Sequence, residues 1–143
     1  MSDEMLRLLI GGVLLVHGLG HGGALGALLW IRFRPGSSTG DWAAARTWLM
    51  PALPDETATT LASVFWIAAL VGFVAAALSF WGFVVPADVW QPVAVGSAVV
   101  SMIGVVLFLG TWPMFNTIAA LAVNVAVLIA VWIQWPPQSV FGG

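Results

Sequence analysis

The stretch that most constrains this chain is residues 6–31, an apolar run with one arginine near its start and no acid. A helix of that length crosses the hydrocarbon core of a bilayer with some tilt. Its middle reads GGVLLVHGLGHGGALG over residues 11–26 and carries both histidines of the protein. On a helix, Gly18, Gly22 and Gly26 fall one above another, a small-residue stripe that lets a second helix approach closely. His17 and His21 lie four apart on the neighbouring stripe, well away from the ends of the run. Ionisable side chains at that depth are tolerated where they face protein or water rather than lipid. The other helices are therefore expected to be arranged around this one.

Composition agrees with a membrane setting. Of 143 residues, 61% are hydrophobic and 7% charged, and the mean hydropathy is +1.03. A soluble domain has roughly a quarter of its residues charged, so the chain reads as an integral membrane protein. Four arginines against six acids exclude a basic nucleic-acid binder. The absence of cysteine excludes disulfides, thiolate chemistry and iron–sulfur ligation. The N-terminal sequence MSDEMLRLL is too acidic, and the run behind it too long, for a cleaved signal peptide. The first run is therefore expected to be retained as a membrane helix.

Four apolar runs, at about 6–31, 57–81, 89–109 and 114–133, predict an all-α polytopic protein. The expected architecture is a four-helix transmembrane bundle forming one domain over residues 1–143. Between the first two runs, residues 41–50 predict a short interfacial helix. Ala43, Ala44 and Ala45 favour helix, and Trp42, Ala45, Trp48 and Leu49 share one face. The competing reading is a structured loop with two interfacial tryptophans. In the second run Ala68, Gly72 and Ala76 form a small-residue stripe, the expected partner of the glycine stripe in the first. The connection at 110–113 is so short that the third and fourth helices must be antiparallel neighbours.

Few polar groups lie deep. Ser97 and Ser101 are four apart in the third run, and Asn116, Ala120 and Asn124 share a stripe of the fourth. Asn124 falls near mid-membrane, where an unpaired amide is costly. The helix directions bring His17 level with Ser97–Ser101 and Asn124, and place His21 one turn nearer the first loop. At least one neutral imidazole is therefore expected to bond a polar group on the third or fourth helix. Of nine tryptophans most fall at expected interfaces, with Trp66 the deep exception. Arg32, Arg34 and Arg46 on the first loop outweigh Arg7, which predicts that loop in the cytoplasm and both termini outside.

The histidine pair is the main candidate for chemistry. Histidines at i and i+4 share a metal where further ligands are available. The acids here are expected at the interfaces, so no metal site is predicted. No serine–histidine–aspartate arrangement and no phosphate-binding loop is present, and no catalytic residue is assigned. His17, His21 and Asn124 are the candidate cofactor-binding residues, with the cofactor itself undefined. A haem bridged by the two histidines of one chain needs them on facing helices; a symmetric dimer, a quinone or a pigment relaxes that requirement.

The opening LRLLIGGVLLVHGLGHGG resembles the first helix of the DoxX-like group of small bacterial four-helix membrane proteins, with Arg7, Gly11, His17 and Gly18 at the matching positions. The four-span layout fits as well. His21 and the glycine density depart from the group's usual pattern. The resemblance implies a bacterial inner-membrane protein. Some members of the group are linked to quinone-coupled sulfur oxidation and others to membrane redox complexes. Three function classes stay open. The first is a non-catalytic accessory or self-associating subunit, in a homo-oligomer or larger membrane complex. The second is a quinone-, haem- or pigment-contacting redox protein using His17 and His21. The third is a small-molecule transporter.

Overall fold

The computed structural model describes residues 2–34, 45–84 and 86–136. Helix α1 spans Asp3–Phe33. Its start is capped by Ser2, whose Oγ accepts the Met5 N–H at 3.2 Å, and Asp3 and Glu4 complement the positive end of the helix dipole. Helix α2 runs over Asp55–Trp81 behind Pro54, again with acids in its first turn. It stops at Gly82, whose φ of 74° turns the chain so that the N–H groups of Gly82 and Phe83 close on the Ser79 and Leu78 carbonyls. A single 3-10 turn, Ala87–Val89, leads into α3, Trp90–Leu107. Gly110 and Pro113 then reverse the chain into α4, Met114–Trp132. All four helices are long and apolar enough to cross a membrane. The protein is an all-α, four-helix integral membrane bundle.

The helices pack in series, α1 on α2, α2 on α3 and α3 on α4. Two apolar clusters lie one above the other. One gathers Leu14, Phe73, Phe80, Trp90 and the alanines between them. The other holds Leu28, Trp66, Val105 and Phe108, together with Ala45 and Ala58. Small residues set the helix spacing. A Cβ on Gly18 would stand 3.0 Å from Phe73 Cβ and 3.3 Å from backbone atoms of Leu70 and Val74, so α1 and α2 touch closely there. On Gly104 it would stand 2.9 Å from Phe65 Cβ, which marks the tight contact of α3 on α2.

These contacts correct the expected pairing of two small-residue stripes. Gly72 faces α3, where an added Cβ would overlap the Ser97 hydroxyl, and Ala68 is exposed. Ala76 is buried in the first cluster. On α1 only Gly18 meets the α2 backbone; Gly22 touches the flexible Leu70 side chain at 3.4 Å, and Gly26 has nothing opposite it. The stripe leaves α2 because positions four apart drift round the helix, so that Leu14, Gly18, His21 and Leu28 hold the buried face while Gly26 turns outward.

The expected interfacial helix at 41–50 is also corrected. Residues 41–44 lie outside the described residues, and 45–50 are not helical. Several of their polar groups bond other segments. The Arg46 N–H donates to Thr111 Oγ1 at 3.3 Å, the Thr111 hydroxyl donates back to the Arg46 carbonyl, and Trp48 Nε1 donates to the Val106 carbonyl at 2.7 Å. Ala45 is fully buried in the second cluster. A segment tied to the α3–α4 connection at three points has no use for helical self-bonding, and Pro51 restrains the residue before it. Among the described residues the short helical segment lies instead between α2 and α3.

Candidate functional site

The deep polar residues meet in one layer between the two apolar clusters. His17 Nε2 lies 2.9 Å from Asn124 Oδ1. Asn124 Nδ2 donates to Ser101 Oγ at 2.7 Å, and Ser101 Oγ lies 2.9 Å from His21 Nε2. The chain His17–Asn124–Ser101–His21 thus joins α1 to α4 and α3 through the centre of the bundle. Asn124 is fully buried and Ser101 likewise. Burial without these bonds would leave an amide, a hydroxyl and two imidazoles unsatisfied in hydrocarbon. The sequence leads one to expect at least one bond from a histidine to the third or fourth helix, and both histidines form one. His21, however, meets Ser101 on α3 rather than the level of Ala120 and Asn116 on α4 to which its depth points. Ser97 does not join them: its hydroxyl bonds the Val93 carbonyl one turn back at 2.7 Å.

Aromatic rings fix the imidazoles further. The two rings stand edge to face, 4.9 Å apart. His17 meets Phe73 edge-on at 4.6 Å, and His21 lies stacked on Trp66 at 5.3 Å. The Trp66 indole N–H is itself buried and has no acceptor among the described residues. Its deep position follows from Gly104, which lets α3 close over the ring.

The series packing leaves α1 and α4 joined by little more than the His17–Asn124 bond. Beside that bond lies a cleft of about 660 Å³, within the roughly 300–1,000 Å³ of small-molecule sites. Its α1 wall comprises Val13, Val16, His17, Gly20, His21, Gly23 and Ala24. Asn116, Thr117, Ala119, Ala120 and Val123 form the α4 wall, and Trp66, Val105 and Trp112 close the back. Val13, Val16, Gly20, Asn116 and Ala119 are exposed, so the cleft opens sideways, toward lipid. It reaches from mid-membrane to the face on which α4 begins.

Both imidazoles line this cleft. The second ring nitrogen of each, Nδ1, makes no hydrogen bond to any described residue. Asn124 stands behind the rings rather than on the cleft wall, so it orients His17 and does not itself reach the opening. Gly18, Gly72 and Ala76 serve helix packing away from the cleft. Among the described residues no group of three or more histidines, cysteines or acids is placed to hold a metal. The cleft was the part that sequence reasoning missed. Its signal was the excess of glycine on α1 beyond what contact with α2 requires: nothing stands opposite Gly20, Gly23 or Gly26.

Arg7 and Gly11 also have defined partners. Arg7 Nη2 donates to the Trp81 carbonyl at 2.6 Å, and Trp81 Nε1 donates back to the Arg7 carbonyl at 3.3 Å. The guanidinium thereby sits at the negative end of the α2 dipole. Gly11 lies under the Trp81 indole, where a Cβ would overlap the ring. At the opposite face, Arg32 pairs with Glu56 at 3.2 Å and Arg46 with Asp55 at 3.6 Å, all well exposed. No family model, curated protein or solved structure matches this chain.

Proposed function

We propose that this is a membrane-embedded binding protein whose cleft between α1 and α4 takes the polar head of a lipid-soluble small molecule. One observation carries the reading: two imidazoles, each held through Nε2 by the buried hydrogen-bond chain, line a largely apolar cleft that opens to lipid. A purely structural pair of histidines needs no cleft beside it. Quinones and pigments belong to the class of ligand such a site admits, as does any amphiphile whose head hydrogen-bonds and whose tail remains in the bilayer. No bond-making step is assigned to the chain. The resemblance of α1 to the DoxX-like group supports a place in a bacterial inner membrane, and the arginine distribution favours termini on its outer side.

The test is recovery of the ligand. Protein purified in mild detergent is extracted with organic solvent, and the extract is analysed by mass spectrometry beside that of a Gly20→Leu variant. Gly20 lines the cleft and has nothing opposite it, so leucine there fills the opening without disturbing the bundle. The wild type is expected to carry a lipid-soluble molecule that the variant lacks. Identical extracts, together with no response of tryptophan fluorescence to added decylubiquinone or palmitic acid, would refute the proposal.

A second reading is favoured by the same bare α1 surface. Gly20, Gly23 and Gly26 offer a smooth outer face to a helix of a second copy or of a larger complex, the accessory-subunit role. Light scattering of the detergent-solubilised protein separates the two, since a monomeric wild type removes the self-associating form.

A further inference from the structure

Helices α1 and α2 pack on each other, yet the chain that joins them is bonded across the bundle to α3 and the α3–α4 connection. The Arg46 N–H donates to Thr111 Oγ1 and the Arg46 carbonyl accepts from it, at 3.3 and 3.4 Å. Trp48 Nε1 donates to the Val106 carbonyl. Ala45 and Thr47 are buried while Arg46 and Trp48 are exposed, the alternation of a chain laid across a surface. The anchor points adjoin the cleft: Val106 follows Val105 and Thr111 precedes Trp112, two residues of its back wall. Ala45 shares an apolar cluster with Trp66 and Val105, against which Ala24, Trp112 and Ala120 pack, and these residues all line the cleft. The segment therefore packs at the end of the cleft where α4 begins, the end nearest water.

Its seating is incomplete. The two Arg46–Thr111 bonds are long for their kind. The Thr47 hydroxyl is buried with no hydrogen-bond partner among the described residues, so lifting the segment returns that group to water. The Arg46–Asp55 ion pair, at 3.6 Å and well exposed on both sides, adds little hold. From these observations we infer that residues 45–50 are a releasable strap. Seated, it closes the cleft to water at the loop face and leaves the sideways opening to lipid. Released, it gives the same cleft a second mouth in water. The inference rests on the reading of the cleft as a ligand site and adds how its contents are exchanged with the aqueous phase. Release breaks few bonds and no helix, which puts it at the low end of the free energies over which a fold opens locally.

The protein has no cysteine, so a single introduced thiol reports its own exposure. The experiment uses the full chain in liposomes, with a charged methanethiosulfonate reagent on both faces. Thr47→Cys reads the strap and Ala120→Cys, on the cleft wall, reads the cleft. Each is made alone and together with Thr111→Val and Trp48→Phe, which remove the strap's bonds. Both thiols are expected to react slowly alone and at least about tenfold faster in the released background, the effect of losing those hydrogen bonds on a local opening. Leu14→Cys, buried in the other cluster, should stay unreactive throughout; if it reacts, the released background has unfolded and Thr111→Val alone takes its place. A Thr47→Cys rate that does not rise shows that the strap does not release, and overturns the inference. So does a rise at Thr47→Cys with none at Ala120→Cys, or an Ala120→Cys that already reacts fast alone. Failure of decylubiquinone and palmitic acid to bind removes the ligand reading and leaves these rates to decide the strap, while unchanged rates leave the ligand reading standing.

Discussion

Replacing Asn124 by leucine tests the central layer most directly. Leucine branches like asparagine but is larger, so at this fully buried position the change leaves no cavity, removes the hydrogen bonds and adds overpacking to their loss. Two are lost, the bond to His17 at 2.9 Å and the bond to Ser101 at 2.7 Å. Interhelical hydrogen bonds in membranes contribute about 0.6 kcal/mol on average and up to about 1.7 kcal/mol, which gives about 1–3 kcal/mol for the pair. The consequences differ at the two ends. Ser101 can turn its hydroxyl to a carbonyl one turn back, whereas His17 Nε2 has no other acceptor among the described residues. Most of the loss should therefore fall on the α1–α4 contact. The assay is reversible unfolding in mixed detergent micelles followed by tryptophan fluorescence. Asn116→Leu, an exposed position on the same helix, is the control and should change stability by less than about 0.5 kcal/mol. A double-mutant cycle with His17→Leu should return a coupling of about 0.6–1.7 kcal/mol. Strict additivity, with Asn124→Leu as stable as the wild type, would refute the claim that this layer holds α1 to α4.

Gly18→Leu should destabilise by about 1–3 kcal/mol in the same assay, because the new side chain meets Phe73 and the α2 backbone, whereas Gly26→Leu should be neutral within about 0.5 kcal/mol. Trp48→Phe removes the bond to the Val106 carbonyl and should cost about 1 kcal/mol while making the segment around residue 48 cut faster in limited proteolysis. Reporter fusions at the two termini should both be active on the outer side of the membrane if the three arginines of the first loop set the topology.

The helices were legible because membrane spans announce themselves by length and apolarity: 57–81 became Asp55–Trp81 and 114–133 became Met114–Trp132. The polar layer was legible by elimination. Hydrocarbon offers His17 and His21 no partners, and helix direction brings few candidates to their depth. Which pairs form was less accessible. Asn124 took two partners and Ser97 none across helices, an outcome set by side-chain rotation rather than level. The short segment was misread because alanine and tryptophan patterning at 42–49 matches a surface helix equally well, and the bonds of residues 46 and 48 go to groups more than fifty positions away. Glycine stripes misled for a related reason. A stripe reports where a helix is smooth, not what lies opposite, and on α1 the smooth side faces α2 at Gly18 and open space at Gly20, Gly23 and Gly26.

The seam between α1 and α4 brings together two helices separated in sequence by both of the others. The extensive helix contacts all join neighbours in sequence and can form as each hairpin enters the membrane. The acceptor for His17 sits at residue 124, so it reaches the bilayer only after α2 and α3 have been made. Until then α1 holds a hydrogen-bonding imidazole without its native partner. During that interval it depends on water at the insertion machinery, or on a chaperoning helix, to keep that group solvated. A ribosome stalled before residue 124 would leave a three-helix product in this condition, recognisable to membrane proteases by polar side chains, His17 and Ser101, that Asn124 normally satisfies.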